Sequence, residues 1–169
     1  MQQTLHLADL AATQRFAMAV ARALRAGDVI LLTGDLGAGK TTFTQGLAKA
    51  MGISAAITSP TFVVARHHEH PGNGLHLVHV DAYRLTDEDE LASLDLETSL
   101  DDSVVVVEWG RGTAEALSDN YLDIELQRPG ATPTATDELV TDFSDADDEE
   151  PRTAIVTGYG ARWEGTTIA

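Results

Sequence analysis

Residues Gly34 to Thr41 read Gly-Asp-Leu-Gly-Ala-Gly-Lys-Thr and satisfy the pattern G-x-x-x-x-G-K-[ST] in full. Each residue type has a chemical use at its place. Glycine carries no Cβ, so the backbone can curl and turn successive N–H groups inward, towards phosphate oxygens. Lys40 puts a point charge near the outer phosphates, and the Thr41 hydroxyl suits Mg2+. Asp35, Leu36, Gly37, Ala38, Gly39 and Thr42 line the same curl of chain. The residues predict a grip on the phosphates of a nucleotide.

Such a loop needs a carboxylate at the end of a neighbouring strand to complete a metal site. Ligands of open α/β sheets collect at those strand ends. Two acids qualify. Glu108 follows Val104-Val-Val-Val107, and Asp81 follows Leu77-Val-His-Val80. An acid abutting an apolar run costs desolvation unless it is paired or binds a metal. Spacing leaves open which of the two holds Mg2+ and which orients water. Thr61, in Thr58-Ser-Pro-Thr-Phe62, is a third element, because a threonine after the first helix can approach the γ-phosphate in nucleotide switches. His67, His68 and His70 cluster near a hairpin end, while His76 and His79 fall on a strand. Alternation along an exposed strand accounts for these two, and no metal site is expected of the histidines.

The elements that must position these residues are legible. Asp28 to Thr33 is a short apolar run suited to a buried parallel strand. Thr42 to Met51 has helical spacing, with Gly52 as a stop. A strand before the loop and a helix after it is the context that the motif requires. Earlier, Thr4 to Leu7 reads as a strand and Asp9 to Arg25 as a helix whose inner face holds Leu10, Thr13, Ala17, Val20, Ala21 and Leu24. Phe62 to His67 and Leu75 to Asp81 read as a hairpin around a turn at Pro71 to Gly74. Thr86 to Leu91 and Ser93 to Leu100 read as short helices. Ser103 to Val107 is β-branched enough to be a central strand, and Tyr121 to Gln127 alternates as a half-buried one. Thr153 to Thr157 and Arg162 to Ile168 complete the expected strands.

Composition bounds the class. The 169 residues, 43% of them hydrophobic, suit a single domain with a sizeable core. No apolar run is long enough for a membrane span, and no leader is evident at the N-terminus. Cysteine is absent, which excludes disulfides and thiolate chemistry and suits a cytoplasmic setting. The net charge of −16 argues against direct, tight binding of nucleic acid. Eight of the acids fall between Asp137 and Glu150, within a Thr-, Ala- and acid-rich stretch from Pro129 to Pro151. That stretch, residues 129–151, reads as a mobile acidic insertion between two strands.

Taken together, Gly34 to Thr42, Thr58-Ser-Pro-Thr-Phe62, His79-Val-Asp-Ala-Tyr-Arg-Leu85 and Val107-Glu-Trp-Gly110 resemble the TsaE (YjeE) family of small bacterial ATPases. The resemblance runs from about residue 5 to residue 128 and resumes near Arg152. It implies a P-loop NTPase-like three-layer α/β sandwich, with a central mixed sheet, parallel and antiparallel, flanked by helices. It implies a protein that binds ATP and Mg2+, hydrolyses ATP slowly to ADP and phosphate, and serves the formation of threonylcarbamoyladenosine at position 37 of tRNAs that read codons starting with A. The implied partners are TsaD and TsaB, with the chain alone a monomer or weak oligomer. On this resemblance Lys40 and Thr41 are phosphate and Mg2+ residues, Glu108 is the second Mg2+ residue, and Asp81 is the acid of hydrolysis. Thr61 is the switch-like threonine. Trp109 lies near the nucleotide or the partner surface, and Thr13 near the adenine. Arg152 matches a basic residue near the nucleotide. Departures are Val80, where the family often has Phe, and the long acidic stretch. Two other readings use the same loop: a small-molecule kinase, and a regulatory subunit that binds nucleotide without turnover.

Overall fold

A computed structural model of the chain describes residues 1–54, 56–58, 64–83, 85, 94–130 and 150–168. Seven strands form one sheet: β1 (Gln2–Leu7), β2 (Val29–Thr33), β3 (Ala65–His68), β4 (His76–Asp81), β5 (Ser103–Glu108), β6 (Tyr121–Gln127) and β7 (Arg152–Tyr159). Their order across the sheet is β1-β7-β6-β2-β5-β4-β3. The centre is parallel: β2 pairs with β5 and β6, and β4 pairs with β5. Antiparallel strands finish both sides, β3 on β4, and β7 followed by β1 beyond β6. The expected mixed sheet, the hairpin of β3 and β4, and an inner position for β5 are all present.

Helix α1 (Leu10–Ala23) starts where Asp9 accepts a hydrogen bond from the Ala12 N–H at 2.7 Å, a cap that contributes about 1 kcal/mol. It buries Ala12, Thr13, Phe16, Ala17 and Val20. Helix α2 (Lys40–Ala50) packs beside it, with the rings of Phe16 and Phe43 5.3 Å apart. Both helices cover one face of the sheet, against Ile30, Leu32, Val104, Val106 and Leu77. The opposite face gathers Val29, Leu31, Val78, Val80, Val105 and Val107 under Leu96 and Ala114. Leu96 belongs to the one-turn helix α3 (Leu96–Ser99), and Ala114 to a 3-10 turn (Ala114–Leu117). That third layer is therefore thin among the described residues.

Strand parity decides where the chemistry falls. Side chains two residues apart on a strand share a face. Glu108 follows Val106, and Asp81 follows Leu77 and His79, so all of these face the α1–α2 side.

Several expectations shift. The terminal strand expected over Arg162 to Ile168 is not formed; the chain makes a 3-10 turn (Ala161–Trp163) and then runs irregularly. A strand would send neighbouring side chains to opposite faces. Here Trp163 is fully buried while Arg162, whose guanidinium lies 4.1 Å from the Trp163 ring, also turns inward, to Asp28 at 2.9 Å and to the Ala23 carbonyl. The helix expected over Ser93 to Leu100 is one turn long. That expected over Thr86 to Leu91, the extended start at Phe62, and most of the stretch 129–151 lie outside the described residues. No described helix is long and apolar enough to cross a membrane.

Candidate functional site

The loop between β2 and α2 curls as its glycines predict. Gly34, Gly37 and Gly39 take φ of 149°, 76° and 98°. At Gly34 a side chain has no room, because its Cβ would strike the Leu126 carbonyl and lie 2.9 Å from Ala38 Cβ. Gly39 has the opposite reason: nothing stands within 4 Å of a Cβ placed there, so its side opens into the concavity. Lys40 opens α2, where the helix dipole adds positive potential. Thr41 and Thr42 follow, half-buried in the first turn.

The Lys40 ammonium crosses the loop and donates to the carbonyls of Gly34 (2.7 Å) and Asp35 (3.0 Å). Burial pushes its pKa below the ordinary value; Glu108, Asp35 and Asp81 pull it back, in that order. One cation thus answers to three carboxylates. Asp81 and Glu108 are register partners at the C-terminal ends of adjacent parallel strands. Both are buried, Asp81 to 8% exposure and Glu108 to 3%. Asp81 Oδ1 accepts from the Tyr83 N–H at 3.0 Å, which fixes the turn beyond β4. Two buried carboxylates beside one buried cation offer oxygen ligands of the kind that hold Mg2+.

Trp109 closes the site from above β5. Its φ is 60°, a left-handed conformation that a bulky residue seldom takes. That turn brings the ring 4.6 Å from Lys40 Nζ and edge-on to Tyr83, with centroids 5.5 Å apart. On the other flank a cavity is lined by Thr13 of α1, Gly37 to Gly39 of the loop, Thr42 of α2, and Glu150 and Arg152. Thr13 itself donates to the Asp9 carbonyl at 3.4 Å. Leu36, at the tip of the loop, is exposed to 54%. The structure therefore brings together Thr13, Asp35 to Thr42, Asp81, Glu108 and Trp109, whereas Thr61 lies outside the described residues.

Two residues gain weight that their sequence positions gave weakly or not at all. Arg152, at the start of β7, reaches the carbonyls of Ala38 and Gly37, each at 3.3 Å, and pairs with Glu150 at 2.7 Å. The acidic stretch before it hides its register with the loop. His79 corrects the expectation of an exposed strand: it is fully buried, and its Nε2 lies 2.8 Å from Glu108 Oε1. Its parity with Asp81, two residues on, was the available signal.

Comparison with known proteins bears on the family and the fold. The family model for the threonylcarbamoyl adenosine biosynthesis protein TsaE matches residues 7–135. A Streptomyces coelicolor protein named tRNA threonylcarbamoyladenosine biosynthesis protein TsaE is 49% identical over 151 residues, covering 89% of this chain and 93% of the relative. A Bacillus subtilis protein of the same name is 42% identical over 118 residues, 70% of this chain and 73% of the relative. The crystal structure of Bacillus subtilis YdiB superposes with a TM-score of 0.68 at 29% identity, covering 97% of this chain and 90% of that one.

Proposed function

The chain belongs to the TsaE family, and from that premise we propose that it is an Mg2+-dependent ATPase that serves threonylcarbamoyladenosine formation on tRNA. The observation that carries the proposal is the pairing of Asp81 with Glu108 across β4 and β5, both coupled electrostatically to Lys40 of the phosphate loop. A phosphate grip without strand-end acids would bind nucleotide and do nothing to it.

The loop N–H groups and the α2 dipole hold the phosphates, and Lys40 exchanges its two carbonyl contacts for the outer phosphate oxygens. Thr41 and Glu108 would hold the metal ion. The chemistry a bound Mg2+ would supply there is neutralisation of charge on the phosphate oxygens. Asp81 orients a water and takes its proton as the water oxygen bonds to the γ-phosphorus. The bond from that phosphorus to the bridging oxygen then breaks, leaving ADP and phosphate. Thr13 and the cavity beside Arg152 receive the base end of the nucleotide. Thr61 is the proposed sensor of the γ-phosphate. In this reading the ATP-bound form docks on a complex of TsaD and TsaB, and hydrolysis resets it.

The kinase reading is disfavoured by Arg111. A kinase lid would use such an arginine on transferred phosphate, yet Arg111 is engaged with Asp123 (2.9 Å) and Glu125 (2.8 Å) of β6. The test is phosphate release with and without TsaB and TsaD, together with tRNA modification in the same tube. Stimulated release of phosphate is expected; no release in any mixture would favour the regulatory reading instead. Lys40→Ala should abolish nucleotide binding, seen by calorimetry. Glu108→Ala and Asp81→Ala should lose turnover yet keep measurable ATP affinity. An Asp81→Ala protein as active as wild type would remove Asp81 from the mechanism.

A further inference from the structure

The contact between His79 and Glu108 is more than packing. His79 sits in the middle of β4 with no solvent exposure, between the β5 partner Val106 and the β3 partner Arg66. Its strand neighbour on the same face, Leu77, is aliphatic, as is Val106. An aliphatic side chain would satisfy this place at lower cost, because the buried His79 Nδ1 has no hydrogen-bond partner among the described residues. What the imidazole gains is on its other nitrogen. Read as a metal ligand, Glu108 is a carboxylate that only accepts, and the Nε2–H then donates to its Oε1 across the 2.8 Å contact. Glu108 is at the end of its strand, beside Trp109, and among the described residues no other side-chain donor is seen to hold its carboxylate.

We propose that His79 is a positioning residue for the metal site: its buried Nε2–H fixes one oxygen of Glu108 and leaves the other for the divalent ion. The proposal rests on the reading of Glu108 as a metal ligand. A carboxylate held by one oxygen loses the freedom to rotate that it would otherwise give up on binding. Partners of this kind are worth roughly 10–100-fold in metal affinity.

The test uses the full chain with ADP and Mn2+, with free Mn2+ counted by electron paramagnetic resonance. His79→Leu removes the donor at similar bulk and should weaken Mn2+ binding about 10–100-fold. His79→Gln places its amide nitrogen where Nε2 stands and should restore affinity close to wild type. His79→Asn, whose shorter amide mimics the Nδ1 position, should behave like His79→Leu. ADP affinity in EDTA should be unchanged in all three. If His79→Leu does not fold, the contrast between Gln and Asn decides alone. Wild-type Mn2+ affinity in the Asn variant, with affinity lost in Glu108→Gln, would overturn the positioning role and leave the reading of Glu108 intact. Wild-type affinity in Glu108→Gln would sink both.

Discussion

At Trp109 the backbone holds a conformation that costs an L-residue about 1–2 kcal/mol, and the ring it presents lies over Lys40. Two opposing effects can be separated by substitution. Glycine removes the backbone penalty and alanine keeps it, so Trp109→Gly should be more stable to urea than Trp109→Ala by about 1 kcal/mol. On an ordinary surface site with negative φ the order would reverse. Lys40 gives a pH-dependent counterpart. Its pKa in the folded chain lies below the ordinary 10.5, chiefly through burial. Between the folded value and 10.5 the unfolded chain binds more protons, so this residue makes stability rise with pH through that window. Wild type minus Lys40→Met, compared by denaturation midpoints over alkaline pH, should show that rise. The placement of Lys40 and Thr41 in the loop, and of Asp81 and Glu108 at neighbouring strand ends, is legible in the sequence because it depends on local spacing. His79 is signalled only by its parity with Asp81, since Leu77-Val-His-Val80 alone does not reveal which face of β4 the helices cover.

At the scale of elements, β7 braces the loop that follows β2 although the two strands are not neighbours in the sheet. The brace is Arg152, only 7% exposed and shared between the Gly37 and Ala38 carbonyls and Glu150. Arg152→Met keeps most of the apolar stem and should cost about 1–3 kcal/mol, the penalty for stranding hydrogen-bonded partners. It should also weaken ATP binding more than Arg111→Met, whose exposed ion pairs with Asp123 and Glu125 contribute at most about 1 kcal/mol. Sequence periodicity located most strands because the parallel centre is nearly continuous in apolar residues. It failed at Arg162 to Ile168, where the alternation of Trp163 with its neighbours comes from tertiary anchoring of a 3-10 turn.

For the molecule as a whole, the acidic stretch falls in the sequence between β6 and β7, which are antiparallel neighbours in the sheet. Gln127 of β6 faces Thr153 of β7, and Arg128 pairs with Glu150 at 3.0 Å, so the described residues on either side of the acidic stretch are held together. Replacing that segment by a short Gly-containing turn should keep the melting temperature or raise it, since each halving of a loop saves about 0.6 kcal/mol of closure entropy. It should leave ATP affinity intact; a collapse of the fold would show that the segment packs on the core. The two tryptophans divide the molecule in another way. Trp163 is fully buried in the core with the Arg162 guanidinium beside its ring, far from the phosphate loop's lysine, while Trp109 has Lys40 over its ring. A nucleotide that draws Lys40 away from that ring changes the field felt by one indole and spares the other. The protein therefore carries its own optical reporter and its own reference. Emission excited at the indole band should shift on adding ATP, and Trp109→Phe should abolish the shift while the Trp163 signal stays constant.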